Sequence, residues 1–346
     1  MTDTTIRVGV VGAGANTRSM HIPKLKAIAG VEIVSVANRS RASSEQVAQE
    51  FGIPQVYDHW WELIAAPDTN AIVIGTWPYM HNRLTQAALA AGKHVLCEAR
   101  MAMNASEANE MLAAAQAQPH LVAQIVPSPF TLRVDKTIQR LIAEGYVGEL
   151  LAIDIHAGGG AFLNPDAPLH WRQNMDLSGF NVMTMGIWYE ALLRWVGEAT
   201  RVTAMGKTFV KLRRDPQTNT MKPARVPEHI NVIAEMACGA QANITVSAVA
   251  GLSRPDGAYL FGSKGTLYFT GGKLYGGQRG AAALDEITIP AAEVGGWRVE
   301  EEFVNAIRGQ ETVSHTTFED GVKYMMFTEA VTRSMTEGRA IPLPLA

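Results

Sequence analysis

The sequence predicts an α/β chain of two domains: a doubly wound parallel sheet in residues 1–126, then an α/β domain with a mainly antiparallel sheet in residues 127–346. Three observations carry this. Short β-branched runs alternate with helical stretches through the first 125 residues, which is the pattern of βαβ units. A glycine-rich turn directly follows the first of these runs. Beyond Pro127 and Pro129 the texture changes to longer alternating strands joined by tight turns, the pattern of hairpins with helices on one face. A length of 346 residues also favours two domains over one.

The elements follow in order. Residues 6–11 (IRVGVV), 32–37 (EIVSVA), 71–74 (AIVI), 94–97 (HVLC) and 121–125 (LVAQI) are near-continuous apolar runs, as strands buried on both faces require. Between them, residues 41–51 read as a helix and residues 82–91 as another, closed by Gly92. A third helix starts at Asn104, whose side chain caps it while Glu107 reaches back. Trp60 and Trp61 are expected in a loop, packed beneath a helix. In the second half a helix over 132–143 precedes strands at 231–237 and 242–248, joined at Cys238 and Gly239. Helices over 298–307 and 319–335 stop at Gly309 and Gly338.

Composition excludes several classes of function. The net charge is −3 and no dense run of Lys and Arg occurs, so nucleic acid is not an expected partner. Cys97 and Cys238 stand far apart, outside any metal-ligand spacing, which predicts neither a disulfide framework nor a metal site and suits the reducing cytoplasm. No segment reads as a signal peptide or a membrane span, so no membrane partner is expected.

The strongest chemical signal is Gly12-Ala13-Gly14-Ala15-Asn16-Thr17, after the first strand and before a helix. In a Rossmann-type domain such a turn lets backbone N–H groups approach a pyrophosphate at a helix N-terminus. Thr17 stands where a third glycine would serve helix-on-strand packing. A plain structural turn is the alternative.

The second strand ends at Asn38, followed by Arg39, Ser40 and Arg41. Domains that prefer NAD usually place a carboxylate here to grip the ribose hydroxyls. A neutral amide removes the repulsion toward a 2′-phosphate, and guanidinium and hydroxyl groups can donate to it, so NADP is expected over NAD. The alternative is that these arginines are solvated residues of a helix start.

Together with Gly75-Thr76-Trp77-Pro78-Tyr79-Met80-His81 and Ala91-Gly92-Lys93-His94-Val95-Leu96-Cys97-Glu98, these features closely resemble the Gfo/Idh/MocA oxidoreductase family. The resemblance covers nearly the whole chain and extends to residues 141–150 (LIAEGYVGEL), Trp171-Arg172, residues 262–267 (GSKGTL) and the helix end at 329–338. It implies a Rossmann domain followed by an α/β domain with a large open sheet. It also implies NAD or NADP as cofactor, a sugar-like or related hydroxylated substrate, and a homo-oligomer, dimer or tetramer, formed through that sheet. By the same resemblance Thr76, Trp77, Pro78 and His81 line the cofactor cleft, and Glu98 with Ala99 lies near the nicotinamide ribose.

The departures from the family pattern bear on catalysis. Where the family reads Glu-Lys-Pro, this chain reads Glu98-Ala99-Arg100, without the lysine. Where the family reads Gly-Gly-x-x-x-x-Asp-x-Gly-x-His, the aspartate is Thr184 and the histidine is Trp188. Neither replacement titrates near neutral pH. A positioned general base is worth about 10²–10⁴-fold in rate, so another group must serve or the ordinary chemistry has been abandoned.

His170, which precedes Trp171-Arg172, is the first candidate for a replacement base, with Tyr189 and His156 behind it; for each, a structural role is the alternative. Arg172 and Arg100 can hold a carboxylate or polarise a carbonyl but cannot act as bases. Asn181, Thr184 and Trp188 are expected to form a neutral, partly aromatic pocket wall. The expected function is thus an NADP-preferring oxidoreductase with a non-standard proton relay. Two alternatives stay open: a redox-assisted lyase or glycoside-cleaving enzyme that reduces its cofactor only transiently, and a nucleotide-binding sensor without catalysis.

Overall fold

The computed structural model describes residues 5–345 and divides into two compact units. The first comprises residues 1–127 with 298–322, the second residues 128–297 with 323–346. A cut at 126/127 does not contain this return of the 298–322 segment to the first unit.

In the first unit β1 (Ile6–Val11), β2 (Val31–Ala37), β3 (Gln55–Val56), β4 (Ala71–Ile74), β5 (His94–Cys97) and β6 (Ala123–Ile125) form one sheet in the order β3-β2-β1-β4-β5-β6. Every pairing in it is parallel. The central strands are apolar on both faces, Val8, Val10, Ile72 and Val95 each being 1% exposed or less, because helices cover both sides. The strand order reverses between β1 and β4, the crevice where open α/β sheets bind ligands at their carboxyl ends.

The connecting helices are α1 (Ile22–Lys26), α2 (Arg41–Phe51), α3 (Trp60–Ala65), α4 (Pro78–Ala90) and α5 (Ala105–Gln116). A π turn over Thr17–His21 leads into α1. Helix α4 begins at Pro78, earlier than the expected residue 82, because proline's fixed φ suits the first helical turn. Asn104 caps α5 by accepting from the Glu107 N–H at 2.9 Å, but the Glu107 carboxylate accepts from the Met103 N–H at 3.0 Å instead of from Asn104. Trp60 and Trp61 open a helix instead of lying in a loop. Trp61 is half exposed and stacks on His59 with ring centroids 4.1 Å apart, so it is not buried packing.

The second unit is built on β7 (Leu150–Ala157), β8 (Ala199–Lys207), β11 (His229–Met236), β12 (Gln241–Ser247), β13 (Gly257–Gly262), β14 (Gly265–Thr270), β15 (Lys273–Gln278), β16 (Asp285–Glu286) and β17 (Ile341–Pro342). A short hairpin of β9 (Leu212–Arg214) and β10 (Met221–Pro223) stands apart from it. The nine strands run in the order β16-β15-β14-β13-β7-β12-β11-β8-β17. The sheet is mainly antiparallel, and β7 with β12 is its parallel pair.

Helices α6 (Asp135–Ala143), α7 (Met175–Ser178) and α8 (Met185–Val196) belong to this unit. Side chains alternate along β11: Ile230, Val232 and Ala234 are buried, while Ile233 is half exposed. The buried face carries α8 and the end of the Phe318–Glu337 helix. Trp195 of α8 lies edge-on to Phe269, Tyr189 stacks on Phe327 at 3.6 Å, and Ser334 Oγ accepts from the Ala204 N–H at 2.9 Å. The opposite face exposes Met205, Ile233 and Leu151 and a stack of Phe261, Tyr259 and Tyr268.

Candidate functional site

The glycine turn leaves β1 and is closed from both neighbouring strands. Gly12 adopts φ +83°, and a Cβ there would meet Thr76 Cγ2 at 2.6 Å and Thr76 N at 2.8 Å, so only glycine fits. A Cβ on Gly75 would overlap the Gly12 carbonyl oxygen and Thr17 Oγ1. Thr17 is fully buried at the third-glycine position, and the missing side chain at Gly75 is what makes room for it. Gly14, Ala15 and Asn16 are exposed at the turn's tip.

Asn38, just past β2, closes the turn from the other side. Its Oδ1 accepts from the Ala13 N–H at 2.7 Å, and its Nδ2 donates to Ser43 Oγ at 3.0 Å and to the Ser43 carbonyl at 3.1 Å. An open cleft of about 250 Å³ lies between these walls, lined by Gly12, Asn38, Arg39, Ser43, Thr76 and Trp77 among others. Thr76 Oγ1 is buried there without a hydrogen-bond partner. A glycine turn without side chains, a cation and an unsatisfied hydroxyl fit a dinucleotide phosphate chain.

The residues expected to read a 2′-phosphate do not act together. Arg39 lies on the cleft, its guanidinium 5.9 Å from the Trp77 ring. Ser40 spends its side chain capping α2. Arg41 points elsewhere: it holds Glu45 at 2.8 Å and Asp58 at 3.2 Å on the surface, and these carboxylates raise its pKa. Ser43 lines the cleft in place of Ser40 and Arg41, a position that helix periodicity leaves unmarked.

His81 is wholly buried near the start of α4. One ring nitrogen lies 3.0 Å from the Thr76 carbonyl oxygen, the other 3.0 Å from that of Arg100 and 3.2 Å from that of Met101. Burial depresses its pKa, and a neutral ring donates from one nitrogen only, so it is packed between the loop after β4 and the loop after β5 with a hydrogen bond to one of them. Pro78 is buried beside it, and Arg100 is buried rather than presented to solvent.

Glu98 follows β5. Its Oε1 accepts from Asn16 Nδ2 at 2.5 Å and lies 3.0 Å from His21 Nε2; its Oε2 accepts from the Ala99 N–H at 3.2 Å. His21 Nδ1 lies 2.6 Å from Glu300 Oε1, within the Val299–Ile307 helix. Burial alone would lower the His21 pKa, but hydrogen bonds and charges from Glu300 and Glu98 override it and hold the imidazole at about 9. Burial would raise Glu98, and His21 with Asn16 holds it below the usual carboxylate range. Neither His21 nor Glu300 is expected from the sequence. Nothing marks Glu300 among the adjacent Glu301 and Glu302, and it stands 279 positions from its partner.

In the second unit the candidates are dispersed. His170 Nδ1 accepts from the Arg172 N–H at 3.2 Å, capping the turn Trp171–Gln173. Burial, then Arg172, lowers its pKa, so the ring is neutral with its proton on Nε2. Such a ring can donate a hydrogen bond but has no lone pair free to act as a base, which counts against the role given first to His170.

Tyr189 accepts from the Ala199 N–H at 2.9 Å under Phe327, and burial pushes its phenol up, so it is held as a structural residue. His156 Nε2 is enclosed without a partner beside Gly158, and burial followed by Arg254 lowers its pKa.

Arg172 is exposed, its guanidinium 4.3 Å from the Trp171 ring. Asn181 is buried and donates to the Ser178 carbonyl at 2.7 Å, while the Thr184 carbonyl accepts from the Trp188 N–H at 3.1 Å where α8 begins. The Trp188 ring is 2% exposed, 5.9 Å from Phe130 and 6.1 Å from Phe269, and its indole nitrogen has no partner. It fills core at the position where the sequence comparison expects histidine.

A parallel sheet with its strand order reversing beside a glycine turn that fits a phosphate chain defines a dinucleotide-binding α/β protein. Residues 6–125 match the oxidoreductase family with an NAD-binding Rossmann fold, and residues 136–268 match the GFO/IDH/MocA C-terminal domain. The chain belongs to the Gfo/Idh/MocA oxidoreductase family.

Among its relatives, trans-1,2-dihydrobenzene-1,2-diol dehydrogenase of Mus musculus is 27% identical over 265 residues, covering 75% of this chain and 73% of the relative. Inositol 2-dehydrogenase of Agrobacterium fabrum (strain C58) is 29% identical over 235 residues, covering 64% and 65%. A solved levoglucosan dehydrogenase in complex with NADH and L-sorbose shares the fold with a TM-score of 0.83 at 20% identity, over 98% of this chain and 99% of that one. Among the described residues, no helix is long and apolar enough to cross a membrane.

Proposed function

We propose that this chain is an NADP-preferring oxidoreductase that interconverts a hydroxyl and a carbonyl group on a small sugar-like, hydroxylated or keto substrate. The observation that carries the cofactor preference is Asn38. Its amide stands after β2 and is bound into the glycine turn, with Arg39 and Ser43 on the same cleft and no carboxylate lining it. The names of the inositol and levoglucosan relatives support the substrate class.

When bound, the nicotinamide gives or takes a hydride. The N–H groups of the exposed Ala15 and Asn16 are assigned to the pyrophosphate, those of Gly12, Ala13 and Gly14 being spent on Ala37, Asn38 and Gly12, and Arg39 with Ser43 is assigned to the 2′-phosphate. Thr76 and Trp77 form the wall opposite, the buried Pro78 and His81 lie behind it instead of lining the cleft, and Glu98 and Ala99 lie beyond. Arg172 on its Trp171 platform is assigned to an anionic or carbonyl group of the substrate. The exposed sheet face bearing Met205, Ile233 and Leu151 is assigned to a homo-oligomer, and a monomeric mass in solution would refute that part. A cytoplasmic location suits Cys97 and Cys238, which are both free.

Calorimetry with NADP and NAD tests the cofactor reading. Affinity for NADP at least about tenfold the higher is expected, lost in Arg39→Ala. Equal affinities, or a preference for NAD, would overturn the preference.

One observation favours a second reading, a nucleotide-binding sensor. Ala99, Thr184 and Trp188 do not titrate near neutral pH, and His170 spends its lone pair on a turn. Turnover of any member of a polyol and keto-sugar panel, followed at the nicotinamide absorbance, excludes that reading. Inertness of a protein that binds NADP would establish it.

A further inference from the structure

We propose that His21 and Glu300 form a buried positioning pair that fixes the Glu98 carboxylate for the nicotinamide half of the dinucleotide. The inference rests on the cofactor reading above and assigns a role to two residues outside the glycine turn.

His21 stands at the end of the π turn that follows the glycine loop, and Glu300 is in the first turn of the Val299–Ile307 helix. The imidazole faces a carboxylate at each nitrogen, 2.6 Å to Glu300 and 3.0 Å to Glu98. Donation at both nitrogens makes it a cation. The three side chains differ sharply in access: His21 is 0% exposed, Glu300 2% and Glu98 14%. Glu98 is therefore the end of the chain that a ligand can reach. Burying a carboxylate and an imidazolium deep in a fold is costly, and an apolar pair would fill the same space. What the charged pair provides is a Glu98 side chain fixed as an anion, its oxygens held by Asn16, His21 and the Ala99 N–H.

The sheet order says which half of the ligand meets it. Asn38 and Arg39 follow β2, on one side of the β1–β4 crevice, and Glu98 follows β5 on the other. A dinucleotide with its adenosine ribose at Arg39 and its pyrophosphate over Gly12 continues toward β5. The carboxylate there is an acceptor for the hydroxyl groups of the second ribose.

The test compares a whole dinucleotide with its adenosine half. Calorimetric titrations of NADPH and of adenosine 2′,5′-bisphosphate, with NADH and ADP in parallel, are run on wild type, His21→Asn and Glu300→Gln. Both variants should bind the dinucleotide about tenfold more weakly and the adenosine fragment within about twofold of wild type. Glu300→Asp should recover part of the loss, because it restores the charge. Equal weakening toward fragment and dinucleotide marks a merely structural pair and overturns the inference, as does unchanged NADPH affinity in both variants. A wild type that binds the adenosine fragment but no dinucleotide defeats the cofactor reading, and the inference with it, whereas unchanged NADPH affinity in both variants defeats the inference alone. A wild type that binds none of the four ligands defeats the cofactor reading first, and the inference with it.

Discussion

Asn38 holds the glycine turn by accepting the Ala13 N–H at 2.7 Å, so the residue that replaces the NAD-type carboxylate is also a structural part of the phosphate cradle. Replacing it by aspartate keeps the acceptor, loses both donations to Ser43 and places a negative charge on the cleft. Asn38→Asp should weaken NADP binding by at least about 30-fold, on the order of 2 kcal/mol, while NAD binding stays equal or improves. Competitive titration measures both, and an undiminished preference for NADP would show that the 2′-position is read elsewhere.

Gly75 and Thr17 are complementary in volume. Gly75→Ala forces a methyl group into both the Gly12 carbonyl and the Thr17 side chain. The expected cost is about 1–3 kcal/mol with weakened dinucleotide binding. Adding Thr17→Ala should not restore binding, because the Gly12 backbone overlap persists. A double variant with wild-type affinity in calorimetry would contradict the packing described.

The His21 cluster predicts a pH window. Its pKa is about 9 in the fold against 6.5 for a free imidazole, so its contribution is full below 6.5 and is lost as pH rises through 9. The amount is on the order of 3 kcal/mol. Glu98, held below its ordinary value, contributes above the carboxylate range and loses that contribution in acid. Urea midpoints should fall between pH 7 and 9.5 in wild type and much less in His21→Asn. Equal alkaline slopes in the two proteins would show that His21 is not the titrating group.

Trp188 has an enclosed indole N–H without an acceptor. Trp188→Phe removes that donor and keeps most of the ring, so stability should hold or rise by about 1 kcal/mol. Trp188→His exchanges a large core side chain for a small polar one and should cost roughly 2–4 kcal/mol. Thermal unfolding distinguishes the two. A Trp188→His protein as stable as wild type would mean that the site is not filled core.

Local pattern was enough to locate the parallel sheet, the glycine turn, the Asn104 cap and the alternation along β11, because each depends on residues close in sequence. It was also enough to place Asn38 and Arg39 just past β2, where both line the cleft. The direction of Arg41 was not legible, since Glu45 and Asp58 compete for it only once α2 and the loop before α3 are placed. Nor was the state of His170, whose lone pair is committed to the N–H two residues on.

By itself the sequence determined the alternation of the main strands and helices in the first unit, the family and the chemistry available at each strand end, because hydrophobic period and glycine placement are local properties. Tertiary structure alone decided which titratable groups meet. His21, Glu98 and Glu300 come from a turn, a strand end and a distant helix, and only their pairing in space, against the cost of burial, makes one a lasting cation and fixes another as an anion at the edge of the cradle. The physical reason is that desolvation and charge pairing depend on distance in space, which spacing along the chain does not encode.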